Sequence, residues 1–136
     1  MTFDEYQAWA ATTSSVRNVA ADTRVVDPPF IDPILDAHAV ITEEFVRIDH
    51  SACGIASEAG EIMEHVKHIR FHGKHLDREY LIKEYGDLLW YLAEGATGLG
   101  IKLSEIAERN VAKLKARYPE GHFTVERSEN RKPENE

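Results

Sequence analysis

Apolar residues return at helical spacing along most of the chain. Phe3, Tyr6, Trp9 and Ala10 share one face, and Thr2 with Glu5 has the spacing of a capping box, so a first helix is predicted to run to about Ser14. Asp27-Pro28-Pro29 and Asp32-Pro33 then interrupt regular structure, because proline lacks an N–H donor and restricts the residue before it; residues 22 to 33 read as a connector. Residues 34 to 49 are helical in pattern, with Ile34, Leu35, Ala39, Ile41, Phe45 and Ile48 apolar. They lead into a second stripe of Ile55, Ala59, Ile62, Val66 and Ile69, for which Ser51 is a candidate N-cap and Gly73 a natural stop. Asp77 caps a further helix with the stripe Leu81, Tyr85, Leu88, Leu92 and Leu99, ended by Gly98 and Gly100. Ser104 with Glu105 opens a last helix that stops at Tyr118-Pro119. No period-two strand and no long internal repeat interrupts this pattern. The expectation is an all-α, four-helix-bundle-like fold in one domain over residues 1 to 122, followed by a tail over 123 to 136, ending SENRKPENE, too polar to pack and predicted to be disordered.

Two acidic signatures sit on these helices: Glu58-Ala59-Gly60-Glu61 and Glu84-Tyr85-Gly86-Asp87. Residues three apart share a helix face, so each signature presents two carboxylates side by side. Turning each residue by about 100° places Glu58 and Glu61 just beside the Ile55 stripe, and Glu84 and Asp87 at a similar offset from the Leu81 stripe. If the two helices pack together, four acids converge. Like charges at that spacing repel, and carboxylates at a core edge are costly to desolvate unless paired or metal-bound. A hard divalent cation relieves both costs, and an oxygen-only ligand set selects Mg²⁺ or Mn²⁺ over zinc or copper.

The length of 136 residues suits one domain with a real core. A formal net charge of −8 argues against a nucleic-acid clamp, which needs a basic footprint, but leaves open a polyphosphate bound through a metal. Cys53 stands alone and has no partner for an intramolecular disulfide. Asp4 and Glu5 occupy the place where a signal peptide carries basic and then apolar residues, and no apolar run approaches the roughly 20 residues that span a bilayer. No membrane partner is expected, and the cytoplasm is the default compartment.

Other groups change the picture less. A single E-x-x-E pair is common on solvated faces; two pairs at matching phase, each in apolar sequence, are a stronger signal. Gly60 and Gly86 inside the signatures cost about 1 kcal/mol each in a helix interior, which asks for a reason such as close helix approach. Asn110, Lys113 and Arg117 share a face of the last helix and suit phosphate oxygens, although cations near a helix C-terminus are also favoured by the dipole alone. His65, His68, His72 and His75 also recur at helical spacing; with no cysteine beside them and no H-E-x-x-H, a polar helix end is favoured over a zinc site. Tyr91, one turn beyond Asp87, is placed to reach the acids, whereas Trp90 and Tyr91 would otherwise be core or interface residues.

The sequence GIASEAGE, followed by KEYGDLLWYLA and LGIKLSEIAERNVAKLKARYPEG, resembles the MazG-like nucleotide pyrophosphohydrolases of the all-α NTP pyrophosphatase superfamily, which includes dimeric dUTPases and dCTP pyrophosphatases. The resemblance covers roughly residues 50 to 122, with E-x-x-E, E-x-x-D and N-x-x-K-L-x-x-R-Y-P in family order. It implies hydrolysis of a nucleoside triphosphate (NTP or dNTP) to monophosphate and pyrophosphate, with nucleotide-pool house-cleaning as a possible setting. It implies metal ligands at Glu58, Glu61, Glu84 and Asp87, with Mg²⁺ as cofactor and Mn²⁺ a substitute. Glu58 or Glu61 is the candidate proton acceptor; Asn110, Lys113 and Tyr91, with Arg117 and Lys67 behind them, are candidates for nucleotide contacts. A homodimer or homotetramer is implied as well, in agreement with the apolar Leu89 and Trp90 lying off the main stripe.

Two other readings compete. A di-iron carboxylate bundle requires Glu-x-x-His pairs, and no glutamate here has histidine three residues on. A non-enzymatic helical oligomerisation or interaction module, its acids merely solvated, predicts no effect of divalent cations on melting.

Overall fold

The computed structural model describes residues 1–14 and 42–130, and every regular element in those stretches is an α-helix. The expected connector over residues 22 to 33 and the start of the helical pattern from residue 34 lie outside the described residues, as do residues 131 to 136.

Helix α1, Phe3–Thr13, opens on the predicted capping box: Thr2 N–H donates to Glu5 Oε2 at 2.7 Å and Glu5 N–H to Thr2 Oγ1 at 3.1 Å. Helix α2 runs unbroken over Glu43–His72 with Thr42 as its N-cap, and Gly73, at φ 65°, closes it in the left-handed conformation that glycine adopts without penalty. Ser51 is therefore not a cap. It is buried in mid-helix, and its hydroxyl donates to the Tyr91 carbonyl at 2.8 Å, because its position faces the neighbouring helix rather than a chain break. Helix α3, Arg78–Gly98, begins at Asp77, whose carboxylate accepts from Tyr80 N–H at 3.0 Å as expected of an N-cap. Helix α4, Leu103–Arg117, starts slightly ahead of Ser104, with Lys102 in the cap position; Ser104 N–H is instead taken by Asp4 Oδ1 at 3.2 Å. A short helix α5, Val125–Glu129, capped by Thr124, stands where the sequence predicts the polar tail to begin.

α2 and α3 form an antiparallel hairpin with the most extensive packing in the molecule. Small residues allow the approach: a methyl group at Gly54 would fall 2.1 Å from the Tyr91 ring, one at Gly95 2.5 Å from Ser51 Oγ, and one at Gly98 2.9 Å from Arg47 Cβ. Gly60 and Gly86 do not serve this purpose, since a methyl group at either meets nothing within 4 Å. Near the open end of the hairpin Arg47 and Glu94, at 7% and 0% side-chain exposure, pair at 2.8 Å, and Ser14 Oγ donates to the same Glu94 oxygen at 2.7 Å.

α1 crosses α3 in the opposite direction. Trp90 Nε1 donates to Thr13 Oγ1 at 2.9 Å, while Gln7 ties down the α3–α4 turn through Ile101 O at 2.8 Å and Leu103 N–H at 2.7 Å. Among the described residues the buried apolar centre lies between these helices: Ala10, Ala93, Ala96 and Leu103, with Tyr6, Leu89, Trp90 and Ile106 packed around it. The stripe expected to form the core side of α3 lies elsewhere. Tyr85, Leu92 and Leu99 are 59%, 44% and 54% exposed, because α2 meets the Glu84–Tyr91–Gly95–Gly98 face and α1 meets the Trp90–Ala93–Thr97 face.

Candidate functional site

The hairpin register brings the two acidic signatures to the same level of the α2–α3 seam. One carboxylate oxygen each from Glu58, Glu84 and Asp87 lies within 4.8 Å of the others. Glu84 is buried, Glu58 half-buried and Asp87 exposed, so the cluster opens from the seam toward solvent. Burial, then the charges of Glu61, Asp87 and Glu84 in that order, and a hydrogen bond shared with Glu84 push the Glu58 carboxyl above its ordinary value. Glu61 is exposed and falls outside the tight group, yet its charge acts on Glu58.

A set of three close carboxylates, with a fourth one turn along, supplies only hard oxygen donors around concentrated negative charge. It suits Mg²⁺ or Mn²⁺, and the raised proton affinity of Glu58 reports first its burial and then the repulsion of its acidic neighbours, both of which a divalent cation would offset. Among the described residues no other group of three metal-ligating side chains is this close. The histidines make no such group: His65 Nε2 accepts from Asp77 N–H at 3.1 Å, and the His68 and His72 rings lie 4.9 Å apart near the end of α2.

The proposed nucleotide contacts are more dispersed. Tyr91 is half-buried in the seam, its ring against Gly54 and 5.4 Å from the His50 ring, one turn beyond Asp87. Lys67 is exposed beyond the cluster and pairs with Glu64 at 3.4 Å. Asn110 and Lys113 are exposed on α4 and Arg117 is half-buried at its end; α4 packs on α1 and α3 through its first turns.

Two aromatic hydroxyls feel the cluster's charge although the acidic motifs did not indicate them. Burial and then the Asp87 charge raise the Tyr6 phenol. Burial, then the charges of Glu84 and Glu61, raise that of Tyr80. The position of Tyr80, four residues before Glu84 on one helix row, was the available signal for the second; nothing local marks Tyr6.

Over 78 residues, 54% of this chain and 68% of the relative, the sequence is 35% identical to "Gene 37 protein" of Mycobacterium phage L5. No solved structure is significantly similar to the chain. The family model for the MazG nucleotide pyrophosphohydrolase domain matches residues 50–122, the stretch that contains both acidic signatures and α4. With more than half its length matched and its acids gathered at one level of a helical hairpin, the chain belongs to the MazG nucleotide pyrophosphohydrolase family.

Proposed function

We propose that the protein is a cytoplasmic, Mg²⁺-dependent nucleoside triphosphate pyrophosphohydrolase that converts an NTP or dNTP to its monophosphate and pyrophosphate, a reaction suited to clearing unwanted nucleotides. The observation that carries this reading is the Glu58–Glu84–Asp87 cluster, with Glu61 beside it, inside the family's matched region.

Glu58, Glu84 and Asp87 would hold the metal, Glu61 completing the set from the exposed side. A bound Mg²⁺ supplies charge neutralisation on the phosphate oxygens and lowers the pKa of an attacking water. Water oxygen forms the new bond to the α-phosphorus, the bond from that phosphorus to the α–β bridging oxygen breaks, and pyrophosphate departs with the bond's electron pair. The water's proton passes to a carboxylate of the cluster. The candidate acceptors are Glu61, at the exposed edge of the set, and Glu58. Asn110, Lys113 and Arg117 on α4, and Lys67 on α2, provide the donors and positive charge that phosphate oxygens require, and Tyr91 faces the sugar or base. The active particle in this reading is a homodimer or homotetramer.

The test is a panel of ribo- and deoxynucleoside triphosphates, including non-standard bases, with monophosphate and pyrophosphate measured at saturating Mg²⁺. One or more substrates should release both products in equal amounts, and Glu61→Gln should abolish release while its far-UV spectrum stays helical. Full turnover by Glu61→Gln removes Glu61 from the chemistry. Absence of turnover on every nucleotide, with no rise in melting temperature on adding Mg²⁺, favours a non-enzymatic interaction module instead.

A further inference from the structure

The four histidines that recur at helical spacing have separate places in the structure. His65 is committed to the hairpin turn: its Nε2 accepts from Asp77 N–H at 3.1 Å, and its ring lies 5.1 Å from that of Tyr80. His75 is exposed in the turn itself, outside any helix. His68 and His72 form a pair. They stand four residues apart on one row of α2, with ring centroids 4.9 Å apart and planes tilted by 37°. Glu64 is one turn earlier on the same row, where its Oε1 lies 3.9 Å from His68 Nε2 and 3.4 Å from Lys67 Nζ. The backbone beneath the pair is closed by a glycine cap: the His68 carbonyl accepts from Gly73 N–H and, at 3.2 Å, from Lys74 N–H. His68 is seven residues beyond Glu61, about 10 Å along the helix, which separates this row from the acidic cluster.

We propose that His68 and His72 form a metal site distinct from the acidic cluster, a two-imidazole chelate for a borderline divalent cation such as Zn²⁺, Ni²⁺ or Cu²⁺. The donors set the selectivity. Imidazole nitrogen suits these ions, whereas the all-oxygen cluster of Glu58, Glu84 and Asp87 suits Mg²⁺ or Mn²⁺. Among the described residues, no side-chain hydrogen bond engages either ring apart from the Glu64 contact, so both imidazoles keep a nitrogen for a cation. The capped helix end holds both Cα positions, and only side-chain rotation is left to order. The row is looser than the acidic cluster, and the exposed His72 ring closes on the ion by that rotation. Water takes the positions the imidazoles leave, with Glu64 on the same row as an outer anionic partner.

Zn²⁺ affinity is measured by competition with a chromogenic chelator at saturating Mg²⁺. The whole chain is used throughout, always with Cys53→Ser, which removes the one thiol that could compete. The parent should bind one Zn²⁺. His68→Ala and His72→Ala should each raise the dissociation constant at least about 10-fold, since losing a ligand costs no less than losing a group that orients one. Alanine is the best helix former, so α2 should survive both changes, as far-UV spectra will register. His122→Ala, on a different part of the chain, should leave the affinity unchanged. With Cu²⁺ as the probe, electron paramagnetic resonance should show hyperfine splitting from two nitrogens in the parent and from one in either variant. No Zn²⁺ binding by the parent overturns the proposal. So does parent-like affinity in either His68→Ala or His72→Ala, an equal weakening by His122→Ala, or a Cu²⁺ signal from oxygen donors alone.

Discussion

Glu58 shows how a single group couples the site to pH. Its carboxyl is raised above the ordinary 4.5 by burial and by three neighbouring acids, so the folded metal-free protein holds a proton that the unfolded chain has already released. Between 4.5 and the raised value the folded state binds more protons, and stability must fall as pH rises through that window. Metal binding needs the ionised carboxylate and has the opposite dependence: Mg²⁺ affinity should increase with pH across the window, with release of a proton. Calorimetry in buffers of different ionisation enthalpy counts that proton, and Glu58→Gln should lose its release. Within that window, binding without proton release in the wild type would show that Glu58 is not a ligand. A second buried charge makes a stability prediction. Arg47→Met leaves Glu94, fully buried, without its counterion, a change that typically costs about 3–5 kcal/mol. Urea denaturation should register that loss, and replacing Glu94 by leucine in the same protein should recover much of it.

The helices explain why the acids were legible in the sequence and the packing was not. Caps are local: Thr2 with Glu5, Gly73 and Asp77 each satisfy backbone groups within a few residues, and each stands where its spacing predicts. The acidic signatures are equally local, and their shared phase needed only an antiparallel hairpin to bring Glu58, Glu84 and Asp87 together. Which face meets which neighbour is a tertiary matter. Periodicity revealed an apolar stripe on α3, but α2 instead docks where Gly54, Gly95 and Gly98 permit close approach and where Arg47 and Glu94 pair. Gly60 and Gly86 ask for a reason such as close helix approach, but the close approaches lie at other glycines, because a helix's neighbour is not encoded in the residue itself. Paired substitutions test the distinction. Gly54→Ala drives a methyl into the Tyr91 ring and should destabilise by about 1–3 kcal/mol, as overpacked sites do. Gly60→Ala meets open space and should stabilise α2 by up to about 1 kcal/mol. Equal effects in chemical denaturation would mean that the seam is looser than this packing requires.

At the scale of the whole molecule, the described residues leave more large apolar side chains exposed than they bury. The buried apolar centre consists of Ala10, Ala93, Ala96 and Leu103, mostly small side chains, while Tyr85, Leu92 and Leu99 are 59%, 44% and 54% exposed. Those three follow one row along α3, on the side away from α1, and the half-buried Ile55, Ile62 and Val66 of α2 lie on the same side of an antiparallel hairpin. Continuous apolar faces of this kind mark association surfaces, and a hairpin whose uncovered side is apolar along its length can bury it against a second copy of itself, the two pairs of helices forming a bundle. Sedimentation at micromolar concentration should therefore give at least the dimer mass. Leu92→Asp, which puts a charge in the middle of the stripe and touches none of the proposed ligands, should shift the protein to monomer and lower its melting temperature, because the face would remain in water. The same substitution at Lys115, exposed on α4, should leave the mass unchanged. A monomer in the wild type would refute association, and an oligomer unaffected by Leu92→Asp would place the association surface elsewhere; either would leave the α3 stripe without a structural purpose.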